Sequence, residues 1–229
     1  MQYHFDATGD FLERQNEICI LLETAEKVED EKKATFLKLA VVSLVTKFQV
    51  YIESVLKEFI YEIKRNQVLY RDLPVYMQLN SIKMDINNNA LVKLAKHGKL
   101  NLDTKQKIKD YISSIDFIIN EEQLVDDNLK IKTSFPLGRT GRTELLELFK
   151  QIEGNENIFI DINGEERIDL NQLDSLLHIR HLIIHQDRFN QTDIKIKEYQ
   201  QYMIEMAYYC DNYLNDTLIR FGVYLEPRG

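Results

Sequence analysis

The stretch ATFLKLAVVSLVTKFQVYIESVLKEFIYEIKR, residues 34–65, narrows the fold more than any other part of the chain. Leu37, Leu44, Phe48, Tyr51, Val55, Phe59 and Ile63 are among the apolar residues that recur there at spacings of three and four. That period gives a helix one wide apolar face, and the β-branched pair Val41–Val42 does not outweigh it. Residues 10–29 read as a helix before it. The charged run EKVEDEKK, residues 26–33, marks a bend or an exposed turn between the two.

The last long pattern, IKIKEYQQYMIEMAYYCDNYLNDTLIRFG, covers residues 194–222. Ile196, Tyr199, Met203, Met206, Tyr209 or Cys210, Tyr213 and Leu218 form its stripe, and Gly222 can end it. Such a Tyr/Met stripe means core packing unless polar residues converge on it. Between the long helices, Pro74 in RDLPVYMQLN breaks the pattern by removing a backbone donor. Shorter helices are expected over 88–96 and 102–119. A turn at Asn163–Gly164 follows, with strand-like alternation in ENIFIDINGEERI, residues 156–168, that suits a small hairpin. Asp169 or Asn171 then caps the next helix. These patterns predict an all-α bundle of long antiparallel and short helices, with a β-hairpin insertion, as a single domain over residues 1–229.

Composition excludes several classes. The chain has 229 residues, 44% hydrophobic and 29% charged, with 8 Gly and 3 Pro, which argues against disorder. No uninterrupted apolar run approaches the roughly 18–20 residues of a membrane span, and no leader pattern opens the chain, so a cytoplasmic protein is expected. Cys19 and Cys210 are the only cysteines, too few for a thiolate cluster. They are expected as reduced, helix-buried thiols rather than a disulfide. The formal net charge of −8 disfavours nonspecific nucleic-acid binding over a large surface but leaves room for a local positive cleft. Residues 93–109, KLAKHGKLNLDTKQKIK, supply six lysines from Lys93 to Lys109 against Asp103 alone, as a binding strip or a solvated face.

Three of the five histidines fall within LHIRHLIIHQDRFN, residues 177–190. Helical residues three, four and seven apart share a face, so His178, His181 and His185 form a stripe. Three readings fit it. His181 and His185 have the spacing of two zinc-binding histidines, but the glutamate of an HExxH motif is missing between them. Arg180 lies five residues before His185, about 140° around the helix, yet a long arginine can bend toward the same cleft. An imidazole that exchanges protons near neutrality and a forked guanidinium together suit phosphodiester chemistry. In the third reading Arg180 pairs with Asp174 or Asp187, and His185 is a helix-end residue favoured by the dipole.

LDSLLHIRHLIIHQD, residues 173–187, resembles the signature of the HEPN superfamily, an Arg, a polar residue, a short spacer and a His. Arg180, His181 and His185 fill those positions. More closely, the chain is similar to the RiboL-PSP or MAE_28990/MAE_18760-like HEPN group. An early aromatic–acidic helix of that group is matched loosely by TKFQVYIESVLKEF, and a middle GR…L…LF..I segment by LGRTGRTELLELFKQI, residues 137–152. Gln49 stands where that group often has Glu, and Glu53 one turn later offers a carboxylate to the same face. Gln186 follows His185, where Gly is common.

The resemblance implies an all-α homodimer and a metal-independent endoribonuclease that needs no cofactor, in a toxin–antitoxin or anti-phage setting with an antitoxin or defence partner. It implies catalytic roles for Arg180 and His185, with His181 and Glu53 in support and His178 a half-buried bystander. Arg139 and Arg142 either touch RNA phosphates or belong to a polar turn capped by Thr143. A non-catalytic HEPN module that binds RNA or protein is the rival expectation.

Overall fold

The computed structural model describes residues 2–78, 122–127, 129–136, 141–154, 158–160 and 163–229, with isolated positions 106, 109 and 120. Helix makes up 69% of it, and no sheet forms among the described residues. The helices are α1 (Asp6–Glu13), α2 (Gln15–Lys27), α3 (Asp30–Arg65), α4 (Gly141–Glu153), α5 (Leu170–Gln186) and α6 (Asp193–Arg220). The helices expected over 88–96 and 102–119, and the lysines from Lys93 to Lys107, lie outside the described residues.

The long apolar stripe of α3 is the centre of the core. Leu44, Phe48, Ile52, Val55, Phe59 and Ile63 are fully buried, beneath α1, α2, α5 and α6. One 18-residue window of α3 has mean hydropathy 1.5, enough by length and composition to cross a membrane, with half of that window buried in the bundle. A core helix accounts for this, because the apolar residues are the ones that face the other helices.

Antiparallel packing holds for α1 and α2 against α3, where Lys47 pairs with Glu17 of α2 at 2.7 Å and Glu58, further along α3, meets Ala7 of α1 at 3.0 Å. The two longest helices run differently. Tyr51 donates to the carbonyl of Ala207 at 2.7 Å, and Phe59 meets Phe221 at 6.5 Å. The contacts climb both chains together, so α3 and α6 point the same way.

The single helix expected over 10–29 is two helices meeting at Arg14, and it begins earlier, at Asp6. The early start has a tertiary cause. A helix leaves its first N–H groups without internal partners, and the Glu58 carboxylate of α3 accepts from the Ala7 N–H at 3.0 and 3.2 Å. Asp211 of α6, fully buried, accepts from the N–H groups of His4 and Phe5, from His4 Nδ1 at 2.8 Å and from Thr8 Oγ1 at 2.7 Å.

Local signals hold at the later helices. Asp169 caps α5 by accepting from Asn171 N–H at 2.9 Å, and Thr192 caps α6 through Lys195 N–H at 3.2 Å. Gly222, at φ +79°, follows the end of α6. The turn at Asn163–Gly164 forms with Gly164 at φ +81°. Around it, the described residues form one antiparallel bridge, Ile160 with Glu166. Both cysteines are free, but only Cys210 is buried, and burial pushes its thiol well above the ordinary value. Cys19 is exposed, contrary to the expectation, because its position on α2 faces away from Ile18 and Leu22, which are buried.

Candidate functional site

The rotation of α5 is fixed by Leu170, Leu173, Leu176 and Leu177, all buried. The helical period then turns the histidine stripe outward. His178 and His185 are exposed and His181 is half-buried. His178 is thus more open than the half-buried position expected for it. His181 and His185 lie one turn apart with ring centroids at 4.5 Å and planes tilted by 44°. Beyond Ile179 the helix emerges from the bundle, so that Leu182 and Ile183 are only partly covered and Ile184 is 46% exposed.

Arg180 sits at the margin of this face, half-buried. Its Nε is buried with no hydrogen-bond partner, and among the described residues it forms no ion pair. Both carboxylates expected to neutralise it are engaged elsewhere. Asp174 accepts from the Arg142 N–H at 3.0 Å, and Asp187 pairs with Lys38 of α3. A buried donor without an acceptor costs about 1–3 kcal/mol. Among the described residues, then, Arg180 Nε carries that cost without an acceptor to offset it.

Glu53 is committed to the scaffold. Its Oε1 accepts from the Phe135 N–H at 3.0 Å and from Gln49 Nε2 at 3.3 Å. The Phe135 ring packs edge-on against Phe48 at 6.3 Å. The aromatic–acidic segment of α3 thus fastens residues 129–136 to the core. Among the described residues no hydrogen bond or ion pair joins Glu53 to Arg180 or His185.

The GR segment also has a packing role. A Cβ on Gly141 would lie 1.9 Å from a Leu177 methyl, so only glycine lets α4 approach α5 this closely. The Arg142 guanidinium donates to Asn171 at 3.2 Å. Asp174, not Thr143, caps α4, and Thr143 lies inside the helix. Arg139 is outside the described residues. No three His, Cys, Asp or Glu side chains converge in a metal-binding group among the described residues.

Sequence reasoning gave no role to Lys38. Its side chain reaches the exit of α5 from a position 149 residues away in the chain, and no local pattern could disclose that.

The profile of the RiboL-PSP-HEPN family matches residues 10–216, most of the chain. The chain belongs to this family. No curated protein and no solved structure gives a significant match. HEPN domains are generally nuclease or RNA-binding modules, and the match extends across the α3 segment, the α4 segment and the Arg/His helix as one unit.

Proposed function

We propose that this RiboL-PSP-HEPN chain is a metal-independent endoribonuclease, and that Arg180 and His185 carry the reaction. The supporting observation is Arg180 itself: a guanidinium with a buried, unpartnered Nε beside an outward pair of imidazoles. A phosphodiester supplies the missing acceptor. His185 takes the proton from the ribose 2′-OH, the 2′-oxygen attacks phosphorus, and the bond to the 5′-oxygen breaks. The leaving oxygen gains a proton from an imidazole, His181 or the His185 of a second copy. The products are a 2′,3′-cyclic phosphate and a 5′-OH. Arg180 neutralises the charge that grows on the phosphorane. Glu53 supports this site at a distance, through the segment it anchors.

The active form in this proposal is a homodimer. Ile184, 46% exposed, gives the face that carries the histidines an apolar residue where α5 leaves the bundle. Pairing two such faces doubles the local positive charge, which offsets the net −8 of the chain. We place its action in the cytoplasm, within a toxin–antitoxin or anti-phage system in which a partner protein restrains it.

A labelled RNA panel incubated in EDTA tests the proposal. Wild type should cut at least one RNA to cyclic-phosphate ends, and His185→Ala and Arg180→Ala should spare it. Intact RNA across tRNA, mRNA and structured substrates would remove the nuclease reading. The second reading, a non-catalytic RNA- or protein-binding module, is favoured by Glu53, whose carboxylate is already occupied by Phe135 and Gln49. RNA retention without cleavage would select it.

A further inference from the structure

We infer that Lys38 and Asp187 form a latch that positions His185, an inference that rests on the role proposed for that histidine. α5 ends in a left-handed cap made by a residue other than glycine. Asp187 has φ 52° and ψ 26°, the left-handed region, which favours glycine and which Asp and Asn enter more readily than most residues. Its N–H turns back to the carbonyl of Leu182, and the Arg188 N–H reaches the same carbonyl at 3.2 Å. An α-helix closes over four residues, so this last turn is wider than the helical repeat. His185 lies inside it.

A left-handed cap closed by such backbone bonds is a common helix end, but glycine, or sometimes asparagine, usually makes it. What holds an aspartate there is the ion pair between its carboxylate and Lys38. The lysine side chain is 26% exposed and belongs to α3, the central helix of the core, whereas Asp187 is 87% exposed. One end of the latch is therefore fixed in the core and the other is the helix exit. An exposed carboxylate contributes little to global stability through such a pair. Its consequence is local: it decides which conformation the turn holding His185 adopts. Where a glycine would make this turn freely, Asp187 makes it with a charge that α3 can hold.

The test uses the full chain with Lys38→Met, Asp187→Asn and Lys38→Arg. Without RNA, amide exchange at Asp187 and Arg188 and the ring signals of His185 are followed by NMR. On the RNA that wild type cuts, kcat and KM are measured. Lys38→Met and Asp187→Asn should each quicken exchange at both amides and shift the His185 ring signals, while Tm stays within about 1 °C of wild type. Each should lower kcat roughly tenfold with KM nearly constant, the signature of a displaced group rather than a lost contact. Lys38→Arg should keep most of the activity. Unchanged exchange and ring signals in Lys38→Met would overturn the latch. So would a rise in KM confined to Lys38→Met with Asp187→Asn at wild-type level, which would make Lys38 a direct RNA contact. If wild type cuts no RNA, the nuclease reading fails on its own, and the NMR readouts still decide the latch.

Discussion

Asp211 and Arg180 both carry a charged side chain into the bundle, and only Asp211 meets its partners there. The Asp211 carboxylate, with no exposure, accepts from two backbone N–H groups, an imidazole and a hydroxyl. It ties the first residues of the chain to α6, and nothing remains for a ligand to satisfy. Arg180 buries a donor that finds no acceptor on a face that also carries His181 and His185. A saturated buried charge is part of the architecture. An unsatisfied one at the surface margin is a cost to folding that binding can recover.

Removing each group breaks or sharpens that contrast. Asp211→Ala should cost the most, about 3 kcal/mol or more in urea unfolding, because several buried donors lose their acceptor together. A loss below about 1 kcal/mol would mean that the N-terminal segment is not held by this carboxylate.

Glu58 is the intermediate case, a half-buried carboxylate whose partner is the Ala7 N–H. Burial, aided by Asp10, Asp211 and Glu62, raises its carboxyl above 4.5, and the Ala7 hydrogen bond only partly opposes this. An acid raised in the folded state adds stability below its unfolded value and loses it as pH rises through its folded value. Relative to Glu58→Gln, wild type should therefore gain stability between pH 7 and pH 4. The gain should be well under 1 kcal/mol, because the group is half exposed and solvent screens it. Unfolding curves of the two proteins at both pH values measure the difference, and a shift of opposite sign would show that the cap outweighs burial.

Arg180→Met should have the smallest effect on stability, near zero or slightly stabilising, since it removes a buried orphan and keeps the aliphatic stem. The same protein should cut no RNA. A thermal melt beside a cleavage assay checks both halves, and a destabilisation of about 2 kcal/mol would class Arg180 with Asp211 as structural.

Much of this was legible in the sequence wherever the cause was local. The apolar period of 34–65 gave the core helix, and Asp169, one of two candidate caps, announced the start of α5 directly before its first buried residue, Leu170. The Asn163–Gly164 turn appeared because its backbone needs a positive φ, which glycine supplies. The Arg/His motif marked α5 as the place for chemistry, and helical spacing placed its histidines on one side.

Other features depend on groups that meet only after folding. No window of residues shows that Glu58 caps a helix at Ala7, that Asp174 caps another at Arg142, or that Lys38 holds Asp187. The same holds for the two acids that leave Arg180 unpaired by bonding to Arg142 and Lys38. By itself, then, the sequence determined the long core helices, their buried faces and the residue types suited to phosphodiester chemistry, since periodicity and residue chemistry are properties of a short segment. The tertiary structure decided which carboxylates are already occupied, and so that Arg180, among the described residues, keeps a buried donor without an acceptor. A hydrogen bond belongs to two positions in space, and their separation along the chain carries no trace of it.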